Sequence, residues 1–263
     1  MSIWAALSAT NLLPRVDIRR NHLPNLNEVL DTLETLYGPQ KAVGPAEPYE
    51  MILYLNCGYP ATDGTCSKGF VALKLEVGLK PGNILAAPRP KLAKCLRMGG
   101  IVPELRAKKL KEIARIVNSE FEGDLKAVLN KCMEEEKKQR DQGVRAAKKV
   151  LQKFPVIGEP SADKILLFAK LAPVAAVPSA SLGVPVRIWF GQEGKNYAAD
   201  YRKVRDKLNG ELPETFEARQ RAYLLLKRHG HEICKRAAPK CRICPLTAQC
   251  AYIQIKAADS NVQ

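Results

Sequence analysis

Cys234, Cys241, Cys244 and Cys250 close a short run, CKRAAPKCRICPLTAQC, with gaps of six, two and five residues. Thiolates are soft donors suited to iron–sulfur clusters and to zinc. Zinc ribbons and fingers usually pair two short C-x-x-C knuckles across a longer stretch, whereas this run has a single C-x-x-C between two wider gaps. Four thiolates within so few residues can wrap one compact cubane, each meeting a different iron. The other four cysteines, Cys57, Cys66, Cys95 and Cys132, are scattered and read as ordinary buried or half-buried thiols. No secretory leader is evident in MSIWAALSATNLLPR, so the cysteines are expected in a reducing cytosol, where clustered thiols hold metal more often than they form disulfides. No eighteen-residue apolar run exists to span a membrane.

The elements that must position these thiols read as helices. In ELRAKKLKEIARIV, residues Leu110, Ile113, Ala114 and Val117 share one face, with Arg106, Lys108, Lys109, Lys111 and Arg115 opposite. SADKILLFAKL repeats the pattern with Ala162, Ile165, Leu166 and Ala169, and Ser161 is the expected helix-starting residue. ARQRAYLLLKRHGHEIC leads directly into the cysteines. Strand-like alternation bounded by hairpin turns is scarce, so the expected class is all-α. GLKPGNILAAPRP reads as an irregular connection, and KAADSNVQ as a frayed tail.

Charge points to the partner. The chain has 263 residues with 42 Lys+Arg against 27 Asp+Glu, a net charge of +15. Such an excess favours a polyanion, because each neutralised phosphate releases a counterion. Nucleic acid is the expected ligand, and the scarcity of aromatics argues against a stacking platform for single strands.

Two motifs together carry a resemblance. The C-x6-C-x2-C-x5-C run is similar to the iron–sulfur loop of the endonuclease III and adenine-glycosylase branch of the helix–hairpin–helix DNA glycosylases. Upstream, LQKFPVIGEPSADKILLF resembles that superfamily's hairpin, with Phe154, Pro155, Ile157, Gly158, Ala162 and Ile165 matching. GGIVPELRAKKLKEIARIV and VRIWFGQEGKNYAADYRKV look like further segments of the family, extending the likeness over about residues 45–252. The resemblance implies a [4Fe-4S] cluster on the four C-terminal cysteines. It also implies backbone phosphate contacts from Lys235, Arg236, Lys240 and Arg242 in the loop and from Ile157, Gly158, Ser161 and Lys164 in the hairpin. It further implies two helical lobes: a bundle over 40–172 ending in the hairpin, and a cluster lobe formed by 1–39 with 173–263.

Departures from the family are as informative. Val156 stands where the first hairpin glycine is expected, and a β-branched residue tolerates positive φ poorly. The lysine that forms a Schiff base in bifunctional members corresponds to Pro160, which has no amine. The aspartate that stabilises the oxocarbenium ion corresponds to Pro178. Gly183 and Pro185 fall where the helix after that position should begin. The adenine-glycosylase glutamate corresponds to Leu55, with Glu50 and Asp63 the nearest acids, and the base-wedging glutamine gives way to Gly58 or Tyr59, an aromatic able to wedge into a stack. Asp163 and Glu159 are the substitutes weighed for the missing acid, although Asp163 also suits a plain helix-start charge. His229 and His231 read as packing or solvent-facing residues.

The expectation is a monomeric, cytoplasmic (nucleoid-associated, if prokaryotic) protein that binds damaged or bent double-stranded DNA without the usual lyase and glycosylase residues. The alternative is a monofunctional DNA N-glycosylase with a relocated carboxylate. Electron transfer through the cluster is a third reading, and no second redox centre is evident to support it.

Overall fold

Apolar spacings of three and four residues become helices throughout the computed structural model, which describes residues 24–58, 63–135 and 140–260. The first half comprises α1 (Leu26–Tyr37), α2 (Pro48–Gly58), α3 (Asp63–Glu76), α4 (Pro81–Ala86), α5 (Arg89–Leu96) and α6 (Pro103–Glu120). There follow α7 (Leu125–Glu135), α8 (Arg140–Leu151), α9 (Glu159–Phe168), α10 (Gly183–Phe190), α11 (Tyr197–Glu211), α12 (Phe216–Glu232) and α13 (Ala251–Ser260). Among the described residues there is no strand, so the fold is all-α.

Two hydrophobic cores organise these helices. One is built from α2 to α9 and includes Leu110, Ile113, Ala114 and Val117, the face expected from the α6 sequence. The other joins Leu26, Val29, Leu30 and Leu33 of α1 to Val186, Ile188 and Trp189 of α10, Tyr201, Val204 and Leu208 of α11, and Leu225 and Leu226 of α12. Apolar burial at roughly 25 cal/mol per Å² is the dominant force holding each core. Helix α1 is fastened to α12 by Arg221, whose guanidinium meets Asp31 at 2.7 Å and Glu34 at 2.8 Å.

Several local expectations are corrected. Helix α9 starts at Glu159 rather than Ser161: Gly158 takes the cap, and Pro160 sits in the first turn where no backbone N–H is needed. Pro185 does not break α10, because the chain first makes a 3-10 turn at Ser179–Ser181 and the helix then begins at Gly183, placing the proline in its first turn. The proline-rich connection contains α4, started by Pro81, and α13 carries the expected tail as far as Ser260.

Val156 keeps the left-handed turn that a glycine would make easily, at φ 71°. Such a conformation costs a β-branched residue about 1–2 kcal/mol. The surrounding packing holds it: the Asn56 amide donates to the carbonyl of Pro155 at 3.2 Å, and the Ile157 side chain is buried in the first core.

Candidate nucleic-acid interface

The cysteine loop leaves α12 and returns to α13 as a basic flap. The Arg187 side chain, from α10, gives it shape by donating to the carbonyls of Lys235 at 2.9 Å and Arg236 at 2.8 Å. The same guanidinium lies 3.7 Å from Cys234 Sγ and pairs with Glu193 at 3.2 Å. Thr247 Oγ1 ties the loop's far side by donating to the carbonyls of Cys241 and Cys244. With its backbone held from beneath, the flap turns Lys235, Arg236, Lys240 and Arg242 to solvent, where phosphates can reach them.

The four sulfurs line one apolar recess with Ile188, Leu246 and Ile253. All four are free thiols. His229 stands behind them, 3.6 Å from Cys244 Sγ and 3.0 Å from the Tyr37 hydroxyl, and burial lowers its pKa to about 4. Burial raises the Cys234, Cys244 and Cys250 thiols above the ordinary range, Cys244 to about 11, and repulsion from the neighbouring sulfurs adds to each shift. Four thiolates here therefore call for a compensating positive centre, as a metal cluster provides. Among the described residues no three His, Cys, Asp or Glu side chains are gathered to hold a single metal ion. A cubane spreads its thiolates over separate irons and does not require that convergence. The donor set and the apolar surround fit such a cluster.

In the hairpin between α8 and α9, Val156 and Gly158 are exposed. Ile157 is buried, so its expected DNA contact is limited to the main chain. Gly158 is extended as the α9 cap, leaving the first amides of the helix near the surface. Glu159 also occupies this helix start, paired with Arg205 of α11.

Between the lobes lies a cavity of about 300 Å³ continuous with a smaller one of about 120 Å³. The two share Tyr54, Leu55, Asp63, Lys164, Tyr223, Lys227 and His231 as walls. Pro160, Ser161 and Pro178 line the smaller part, so the positions expected to carry the lysine, the aspartate and the glutamate (Leu55) converge on one space. None of the three bears an ionisable group.

The proposed substitutes sit elsewhere. Asp163 is fully buried with its carboxylate between Lys148 and the Tyr201 hydroxyl, which donates at 2.8 Å, and it lines neither cavity. Desolvation raises its pKa, opposed by the Lys148 ammonium. Glu159 is spent on Arg205. Glu50 likewise lines neither cavity, while Asp63, the other acid noted in the sequence, faces both and is paired with Lys227 of α12. Lys164, expected on the outer hairpin, instead points into the cavity with its Nζ 6.0 Å from the centre of the Tyr223 ring. Tyr59, weighed as a wedge against an ordinary half-buried tyrosine, lies outside the described residues. Sequence reasoning missed Arg187 and Lys227 entirely. The position of Lys164, four residues beyond Pro160 on a helix, was the signal that could have found it.

No protein-family model matches the chain, and no curated protein does. Solved structures do. The chain superposes on endonuclease III in a non-covalent complex with DNA with a TM-score of 0.68, at 18% identity over 89% of this chain and 97% of that one. A trapped covalent intermediate of endonuclease III with DNA gives a TM-score of 0.67, at 17% identity over 89% and 99%. A thermostable thymine-DNA glycosylase gives 0.65, at 20% identity over 88% and 97%.

Proposed function

From the premise of a fold shared with the helix–hairpin–helix DNA glycosylases, we propose that the chain is a DNA-binding, [4Fe-4S]-carrying protein that seats damaged or bent duplex across its two lobes. The observations that support this reading are the Arg187-braced basic flap turned to solvent and the hairpin whose helix start, at Pro160 and Ser161, borders the inter-lobe cavity. Both anchoring elements contact phosphate rather than base edges, so they position a duplex without reading its sequence. The lobes are taken as residues 40–172 and 1–39 with 173–263, a division supported by the two separate cores. The thiolates of Cys234, Cys241, Cys244 and Cys250 hold the cluster, whose role is to fix the flap. The protein acts as a monomer in the cytoplasm. Among the described residues no helix is long and apolar enough to cross a membrane.

Asp63 favours a second reading, a monofunctional N-glycosylase, because it is a carboxylate facing the cavity where the usual acid is missing. Its pairing with Lys227 places a cation beside it. As a relocated acid it would stabilise positive charge developing on a deoxyribose during base loss.

The experiment that tests the first reading is titration of duplex DNA at rising salt, with undamaged, abasic and mismatched duplexes compared. Affinity falls steeply with salt and is highest for the duplexes that bend or open most cheaply. Equal affinity at low and high salt would overturn the reading. Release of a free base from a lesion panel by the wild type, abolished in Asp63→Asn, selects the second.

A further inference from the structure

Among the described residues, the larger cavity is walled by four cations, Lys41, Lys164, Lys227 and Arg228, and by one carboxylate, Asp63. Asp63 is committed to Lys227, and Arg228 meets Glu232 one turn along α12 at 3.2 Å. Neither Lys41 nor Lys164 has an ion-pair partner among the described residues. Lys41 is exposed on the connection between α1 and α2. Lys164 is drawn partly out of water, lining both parts of the cavity with the Tyr223 ring centre 6.0 Å from its Nζ. An ammonium withdrawn from water without a counter-ion is costly, so an anion seated there would be stabilised. The groups facing Lys164 are Lys227 of α12 and Asp63 and Cys66 of α3. Burial and the Lys227 charge lower its pKa to about 8, and Asp63 and Cys66 oppose that shift.

We infer that this cavity receives the terminal phosphate of a nucleotide, with Lys164 and Lys41 as its counter-ions. With Lys227 and Arg228 answered by Asp63 and Glu232, the two lysines leave two positive charges over. That matches a phosphate monoester, which carries about −1.5 to −2 at pH 7, better than an internal diester with its single charge. A backbone diester is also tethered on both sides and runs along a surface, whereas a terminal group enters a recess end-on. Met51, Phe168 and Leu224 add apolar wall beside the cations, suited to the sugar and base behind the phosphate. The phosphate belongs either to the end of a broken DNA strand or to a free nucleotide. For a strand end the inference rests on the duplex-binding reading, and for a free nucleotide it stands without it.

The test titrates the full-length protein by calorimetry with inorganic phosphate and with deoxyadenosine monophosphate, chloride holding the ionic strength constant. In parallel it compares two nicked duplexes that differ only in a 5′-phosphate or a 5′-hydroxyl at the nick. The wild type binds the phosphate probes saturably, and Lys164→Met weakens them roughly 10-fold or more, as loss of a charged donor should. Affinity falls as the pH rises past about 8, where unliganded Lys164 gives up its proton, and Lys164→Arg binds without that fall. A preference for the phosphorylated nick that Lys164→Met abolishes assigns the strand end. Binding of the monophosphate without such a preference assigns the free nucleotide. Absence of both overturns the inference, and so does binding that Lys164→Met leaves unchanged. Should that variant not fold, a fall past pH 8 that persists in Lys164→Arg overturns it instead. Duplex bound equally with either nick and no response to the monophosphate leaves the functional reading standing, whereas failure to bind any duplex removes that reading and leaves the monophosphate arm to decide.

Discussion

The flap and the cavity were built by different rules. In the flap, all four thiols come from seventeen consecutive residues, and the bracing contacts of Thr247 stay inside the same loop. In the cavity, Asp63, Lys164, Pro178 and Lys227 arrive from three helices and a connecting turn separated by most of the chain. The first kind of site is a local arrangement that survives whole. The second depends on tertiary packing and can exchange its chemistry one residue at a time while the walls stay in place. Anchoring and chemistry are therefore separable here.

The largest expected effect tests the flap. Cys244→Ala should strip the visible iron–sulfur absorption from anaerobically purified protein and remove most duplex affinity, measured by iron and sulfide analysis beside a binding titration. Wild-type protein that is colourless and zinc-loaded would break the comparison, because the flap would then be a different kind of site. Next in size is salt. If the four loop cations and the hairpin together neutralise about five phosphates, affinity should fall roughly 500-fold between 50 and 200 mM salt. Arg242→Ala should reduce the slope of log affinity against log salt by about 1, whereas Asp63→Asn should leave that slope unchanged.

Two smaller effects concern the scaffold beneath both regions. Tyr201→Phe withdraws a hydrogen bond from the buried Asp163 carboxylate and should lower stability by about 1–3 kcal/mol in denaturant unfolding. Val156→Gly relieves the left-handed strain and should recover about 1 kcal/mol, less the entropy that glycine loses on folding. If relieving the hairpin strain changed duplex affinity more than removing a flap arginine, the flap would lose its place as the main anchor.

What the sequence made legible follows the same division. The helices were readable from apolar period, since α6 buries the apolar face that its spacing predicts, although Arg106, expected on the opposite face, is buried too and donates to the carbonyls of Ile101 and Asn56. The gathering of the four C-terminal cysteines was readable because they are neighbours along the chain, and they line one recess. Pro160 and Pro178 could be located by counting, and both do line the cavity. Asp163 misled because a polar residue near a helix start looks free in sequence, and only packing shows Lys148 and Tyr201 closing over it. Lys227 gave no signal, as its lysine is one among many on a basic helix until α3 brings Asp63 opposite. Arg187 sits in an apolar run, where nothing local announces that it will reach under a loop almost fifty residues away.

The buried carboxylate of Asp163 has one consequence beyond stability. Held by Lys148 of α8 and the Tyr201 phenol of α11, it ties the helices of the first core to those of the second. On the proposed reading the accommodation then falls to the nucleic acid, and sites are sorted by their mechanical softness. A gapped or mispaired stretch would seat before an intact one of the same sequence.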